Sequence, residues 1–197
     1  MGGFVLFVVV FAAVVLFWFV SAYNGLIALK NQTLNALKQI DVQLKRRHDL
    51  IPNLIQAVQG AMQFEKETLQ AVIEARNQAM RVASGADMQY VAKVASAEGQ
   101  LTGALGKLMA VVEAYPDLKA TNNIGQLQEE LTSTENKIGF ARQLFNDTAT
   151  LYNTRQEQFP TSIVAGFARS VPAQLWEISD VMEREVPKVD LSTKPRS

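Results

Sequence analysis

Residues 4–20 read FVLFVVVFAAVVLFWFV, an apolar run with neither a charge nor a proline. A chain carrying such a run must bury it in protein or in lipid. With Gly2, Gly3 and Ala22 the run reaches roughly 20 residues, or about 30 Å as a helix, enough to cross a hydrocarbon core. Trp18 and Tyr23 stand at its C-terminal end, where amphipathic rings favour the interface. A cleaved signal peptide is the competing reading. The start MGGF has no Lys or Arg to form a charged n-region, however, and the apolar run is too long for an h-region. Residues 1–22 therefore read as a transmembrane anchor. No basic residue precedes the span, while Lys30 and Lys38 follow it, which places the C-terminal domain in the cytoplasm by the positive-inside rule. Exposure on the periplasmic or extracellular side is the alternative.

Helical periodicity resumes at Tyr23 with almost no linker, so one helix is expected to run from the membrane into the domain. Along residues 23–83 a line recurs at spacings of three and four: Ile27, Lys30, Leu34, Leu37, Asp41, Leu44, His48, Ile51, Ile55, Val58, Met62, Glu65, Leu69, Val72 and Arg76. Pro52 falls inside it and should kink the helix, unless Asp49 caps a new helix with Pro52 in its first turn. Gly85 and Asp87 mark a turn. A second helix is expected over 88–115, ended by Pro116, and a third over 122–159, capped by Thr121 or Asn122 and stopped by Pro160. A weaker amphipathic segment covers 162–185, and a flexible, polar tail covers 187–197. The fold class is all-α: an N-terminal transmembrane helix continuing into an antiparallel coiled-coil or helical bundle over 23–186. Unbroken, the first helix would reach about 90 Å, roughly twice the second. It must fold back near Pro52 or project and meet another chain, so a homo-oligomer is expected.

Composition removes several function classes. Lys plus Arg and Asp plus Glu each number 19, and only Lys45, Arg46 and Arg47 cluster, pointing about 100° apart around a helix as a ring and not a stripe. That speaks against nucleic acid as a partner. There is no cysteine, hence no thiolate ligand or nucleophile, and one histidine, His48, which excludes two-histidine zinc sites. Residue 45, three before His48, is lysine, so no Glu-x-x-His di-iron pair exists. Neither a Gly-rich phosphate loop nor a GxSxG elbow occurs. No catalytic, cofactor-binding or metal-ligating residues are assigned, and the chain is not expected to be an enzyme.

Polar residues interrupt the apolar lines: Asp41, His48, Glu65, Arg76, Glu98 and Arg155. Buried pairs that fix helix register are one account. Drift of a straight helix, about 20° per heptad against a seven-residue repeat, carries such residues to the bundle edge and is preferred for the set. Asp41 and His48, flanked by Leu37, Leu44 and Ile51, are expected to be internal, with His48 a hydrogen-bonded core residue. The segment holding Phe167, Trp176 and Met182 has two readings, lying on the membrane surface or docking on the bundle, and docking is preferred. Glu177, Asp180, Glu183 and Glu185 would be repelled by anionic headgroups.

The stretch IDVQLKRRHDLIPNL over residues 40–54 resembles the LemA family of bacterial membrane proteins. So do YNGLIALKN from Tyr23, EARNQA from Glu74, LGKLMAVVEAYPDLKA from Leu105 and LQEELTSTENKIGFARQLFND from Leu127. The YN pair ending at Asn153, Phe159–Pro160 and the late PKVDL also fit. Phe145 departs from the family, which often has tyrosine there, and the stretch after Pro160 lacks its usual glycine–phenylalanine richness. The resemblance implies a single N-terminal span in the bacterial inner membrane and a long-helix bundle, and it adds no enzymatic activity. Likeness to magnetosome-membrane proteins in one branch implies scaffolding or membrane organisation. Within the matching blocks, Asp41, Arg46, Arg47, His48, Asp49, Asn53, Glu113, Glu135, Asn136, Arg142, Asn146 and Asn153 are the candidates for a polar core or a partner surface. The expected function is a membrane-anchored scaffold that self-assembles or recruits membrane proteins, with lipid contact and membrane remodelling as the alternative.

Overall fold

The computed structural model describes residues 1–60, 62, 65–83, 88–116 and 122–177. Among them the regular elements are helices: α1 (Gly2–Gln59), α2 (Lys66–Ala83), α3 (Val91–Glu113), α4 (Asn122–Glu157) and α5 (Thr161–Phe167). The all-α expectation holds, and α1 does carry the apolar run directly into the domain as one helix of 58 residues, about 87 Å long. In its N-terminal part the most apolar 18-residue window is completely unburied.

The single helix expected over 23–83 is instead two, and the break is not at Pro52. α1 continues through Pro52, and Asp49 lies exposed within it rather than capping a new helix. The chain leaves helix at Gly60, whose missing side chain makes it a poor helix former, and fully buried Met62 occupies the reversal. α2 then returns antiparallel to the outer end of α1. The weak helix expected over 162–185 stops at Phe167, and residues 171–177 carry no helix, because Pro172 supplies no N–H to continue one. The Gly85–Asp87 turn, a cap at Thr121, the remainder of that weak helix and the tail over 187–197 lie outside the described residues.

Two antiparallel pairs make the bundle, α1 with α4 and α2 with α3. Near the span, Gly25, Leu29 and Gln32 face Leu151, Thr154 and Gln158. At the far end Asn53 and Ala57 face Asn123 and Leu127. On α1 the buried positions form two seven-residue columns: Leu26, Thr33, Ile40, Arg47 and Leu54, then Leu37, Leu44, Ile51 and Val58. Only the second column coincides with the line read from sequence. The first lies one residue earlier and puts Arg47 in the core. Along α4 and just past it the sequence spaces Ile124, Leu127, Leu131, Thr134, Ile138, Ala141, Phe145, Thr148, Tyr152, Arg155 and Phe159 by three and four. This line holds from Ile124 to Tyr152, then slips, leaving Arg155 exposed and Gln156 buried.

The apolar core is divided. One cluster, nearer the span, gathers Leu37, Ile40, Leu44, Val94, Ile138, Phe145 and Trp176. The other gathers Ile51, Leu54, Val72, Leu101, Leu108 and Leu131. Between them, at the level of residues 47–48 on α1, 98 on α3 and 135 on α4, sits a layer of charge.

Candidate functional site

The charged layer is built around two side chains that ordinary burial rules would keep outside. Arg47 is 1% exposed and Glu98 is 0% exposed. Arg47 Nη2 donates to Glu98 Oε2, and Arg47 Nη1 donates to Thr102 Oγ1 at 3.1 Å and to Glu135 Oε2 at 2.5 Å. The other oxygen of Glu98 meets His48 Nε2 at 2.9 Å. A carboxylate withdrawn from water is normally driven towards its neutral form. Burial does push Glu98 up, but the His48 hydrogen bond and the Arg47 charge outweigh it and hold the carboxyl below its ordinary range. The layer thus joins α1, α3 and α4 through charge-assisted bonds with little freedom of register. Arg47 Nε remains without a hydrogen-bond partner.

Pro52 brings α2 into the same level. A helical residue at 52 would donate its N–H to the carbonyl of residue 48; proline has none. The released His48 carbonyl is taken by Arg76 Nε of α2 at 2.8 Å. The proline that looked like a kink therefore exposes an acceptor that docks the hairpin. We predict that Arg76→Met costs about 1 kcal/mol in the native background. The same change should cost less than half as much in a Pro52→Ala background, where the residue-52 N–H serves that carbonyl. Urea unfolding of the four proteins measures the coupling, and equal costs in both backgrounds would refute it.

A second constellation grips residues 171–177. Asn153 Nδ2 donates to the Ala173 carbonyl at 2.9 Å while its Oδ1 accepts from Ala173 N–H at 2.8 Å. Asn146 does the same for Trp176, at 2.9 and 2.8 Å. On the strap's other side, Gln89 Nε2 donates to the Pro172 carbonyl at 2.8 Å, and Gln174 N–H donates to the Met88 carbonyl at 3.0 Å. Ala173 and Trp176 are buried; Gln174 and Leu175 are exposed. Burial every third residue is the period of a polyproline II strand, not of a β-strand. Three such residues rise about 9 Å and seven helical residues about 10.5 Å, so amides two turns apart on α4 meet strap residues three apart. The Arg142 guanidinium lies 5.0 Å from the Trp176 ring centre and 4.0 Å from Glu135, which links strap to charged layer.

Beside the layer, α3 and α4 part to leave a cleft of about 580 Å³, with Leu105, Met109 and Leu131 on its walls and Arg47, Glu113 and Glu135 among its polar lining. No metal-binding group of three or more His, Asp or Glu side chains occurs among the described residues.

The sequence candidates therefore divide. Arg47, His48 and Glu135 meet in the layer; Arg142, Asn146 and Asn153 hold the strap; Glu113 lines the cleft. Arg46 instead makes an exposed pair with Glu130 at 3.1 Å, and Asn53 lines a surface groove. Asp49 and Asn136 are exposed, away from both constellations. Asp41 is half-buried, and burial raises its pKa. His48 is internal and hydrogen-bonded, as expected; drift explains Arg155 but fails for Glu98, which is internal and paired. Glu98, the hub, stood in the sequence line but not among the candidates. Thr102, Arg76 and Trp176 were also absent from them; only the last had been expected to dock.

The pairings along 40–54 and 127–153 fall in blocks that resemble a known family, and the LemA family profile matches residues 36–191. The chain belongs to the LemA family. Protein LemA of Metamycoplasma hominis is 27% identical over 190 residues, spanning 96% of this chain and 82% of its own. Magnetosome protein MamQ 2 of Paramagnetospirillum magneticum is 24% identical over 189 residues, spanning 84% of this chain and 68% of its own. Magnetosome protein MamQ of Magnetospirillum gryphiswaldense is 22% identical over 170 residues, spanning 75% and 62%. As a LemA-family chain with a candidate N-terminal span, the protein is membrane-associated.

Proposed function

We propose that the protein is a membrane-anchored helical scaffold that self-assembles or recruits membrane partners, without catalysing a reaction. The back of the α1/α4 pair carries this reading. Grooves there are lined by α1 and α4 alone, and Val42, Phe140, Leu144 and Leu151 stand 41–74% exposed along them. A row of large apolar side chains on an already folded domain is the mark of a protein contact. The mutual pairing of Arg47, His48 and Glu98 inside the core supports a structural use of these ionisable groups. The likeness to magnetosome proteins supports an organising role.

The span crosses the bacterial inner membrane once, with the bundle on the cytoplasmic side; Lys30 and Lys38 after the span support that placement. Mass photometry of the full-length protein in detergent tests the scaffold. The expected result is an oligomer or a co-purifying membrane partner, lost when Phe140 and Leu144 are both changed to glutamate. A wild-type protein that is strictly monomeric and brings nothing with it would overturn the reading. Lipid contact by the domain is a second reading, favoured by the exposed apolar side chains that α5 sets beside the span.

A further inference from the structure

Between Glu157 and Glu177 the chain carries one charge, Arg169, and its apolar residues are not all used by the core. α5 packs Val164 and Ala165 inward against the bundle. Its other face leaves Ile163 51% and Phe167 75% exposed, one helical turn apart, and the flanking Phe159 and Val171 are 82% and 56% exposed. The position of this patch decides its meaning. α4 descends towards the membrane, with Gln158 level with Gly25 and Ala28 of α1. α5 goes lower still, and the Phe167 ring meets Phe19 edge to face with centroids 5.8 Å apart. The chain then turns at Arg169, with φ 49°, and climbs back as the strap along α4.

Phe167 is thus the lowest point of a loop beside the apolar helix itself. From Gly2 to Phe19 that helix is about 27 Å long, close to one hydrocarbon thickness, so the bilayer boundary falls at the level of Phe19 to Tyr23. The patch is continuous with the exposed surface of the span, and it contains no acidic group to be repelled by headgroups. We propose that residues 159–171 form a shallow membrane-dipping loop whose Phe159, Ile163 and Phe167 enter the headgroup–acyl boundary of the bilayer that holds α1. Arg169 reaches headgroup phosphates from its apolar stem. The loop sets the height and tilt of the bundle above the membrane, a role α1 alone cannot perform because a lone helix is free to rotate and slide. The proposal rests on α1 crossing a bilayer.

The chain has no cysteine, so single-cysteine variants of the full-length protein take a nitroxide label cleanly. Val10→Cys, Ile163→Cys, Phe167→Cys and Ile73→Cys, each with helicity checked by circular dichroism, would be placed in vesicles of phosphatidylcholine and phosphatidylglycerol. Collision with oxygen, relative to a water-soluble nickel chelate, reports depth. The expected ratio at positions 163 and 167 is several-fold above that at exposed Ile73 on α2 and below that at position 10. A deep position 10 with 163 and 167 matching Ile73 overturns the loop while leaving the span intact. Low collision with both reagents, or spin–spin broadening at 163, means protein covers the patch and also overturns it. An aqueous position 10 removes the span and the proposal together.

Discussion

Glu98→Leu is expected to destabilise the bundle by about 3–5 kcal/mol, the penalty for stranding one partner of a buried ion pair. The reasoning runs through Arg47. Its guanidinium is fully withdrawn from water, cannot lose its proton, and would keep only Thr102 and the half-exposed Glu135. The Arg47→Met/Glu98→Leu double variant removes both charges and should recover most of the loss, because two apolar clusters then meet across the former layer. Acid gives a second readout. Glu98 is held below its ordinary value, so it contributes stability that is present above about pH 4.5 and lost as pH falls through its folded value. Asp41, raised by burial, acts in the opposite direction: its ionisation lowers stability as pH rises through its folded value. The wild-type protein should therefore lose stability in acid along a limb that the double variant flattens. Urea unfolding followed at 222 nm between pH 3 and 7 would measure both effects in detergent-solubilised protein. A single-variant cost below 1 kcal/mol, or an unchanged acid limb, would disprove the central role of the pair.

The apolar N-terminal helix and the long helices are legible in the sequence because their signal is composition and period, which no tertiary contact needs to decode. The line on α4, from Ile124 to Tyr152, was right for that reason. On α1 the period was visible but its phase was half wrong. With apolar residues at both 40 and 41±3 or 4, the sequence admits two adjacent columns, and an arginine in one of them argues for the other. Helical geometry sets Arg47 in a ring with Lys45 and Arg46, and only the family resemblance makes it a candidate for a polar core or a partner surface; its partner, Glu98, lies 51 positions away and reads as drift when taken alone. Each charge is implausible inside without the other, so only pairing resolves them. Pro52 misled similarly. A helix breaker read locally is, in three dimensions, the source of a free carbonyl for Arg76. Asn146 and Asn153 entered through resemblance rather than chemistry. Two amides seven apart become a clamp only once an extended strand is known to lie over them.

Simultaneous Asn146→Ala and Asn153→Ala substitution should release the strap. The two side chains make four hydrogen bonds to the backbone of Ala173 and Trp176, which at about 0.5–1.5 kcal/mol each amounts to roughly 2–6 kcal/mol of local stability. That is enough to change a strap that is almost always closed into one that is often open. Trp176, buried against the Arg142 guanidinium when the strap is closed, reports the change. In a Trp18→Phe background it is the remaining tryptophan, and its emission should shift red and become accessible to acrylamide while overall helicity is kept. The chemistry of the clamp gives a sharper test. Asn153→Asp keeps the shape and one acceptor but loses the donor and sets a carboxylate against the Ala173 carbonyl, so it should release the strap more than Asn153→Ala. Ala173→Pro deletes the N–H that Asn153 Oδ1 accepts and should weaken closure, whereas Gln174→Ala, whose side chain is exposed, should leave it unchanged. If Trp176 stays shielded in the double-alanine protein, apolar burial alone holds the strap and the asparagine clamp is incidental.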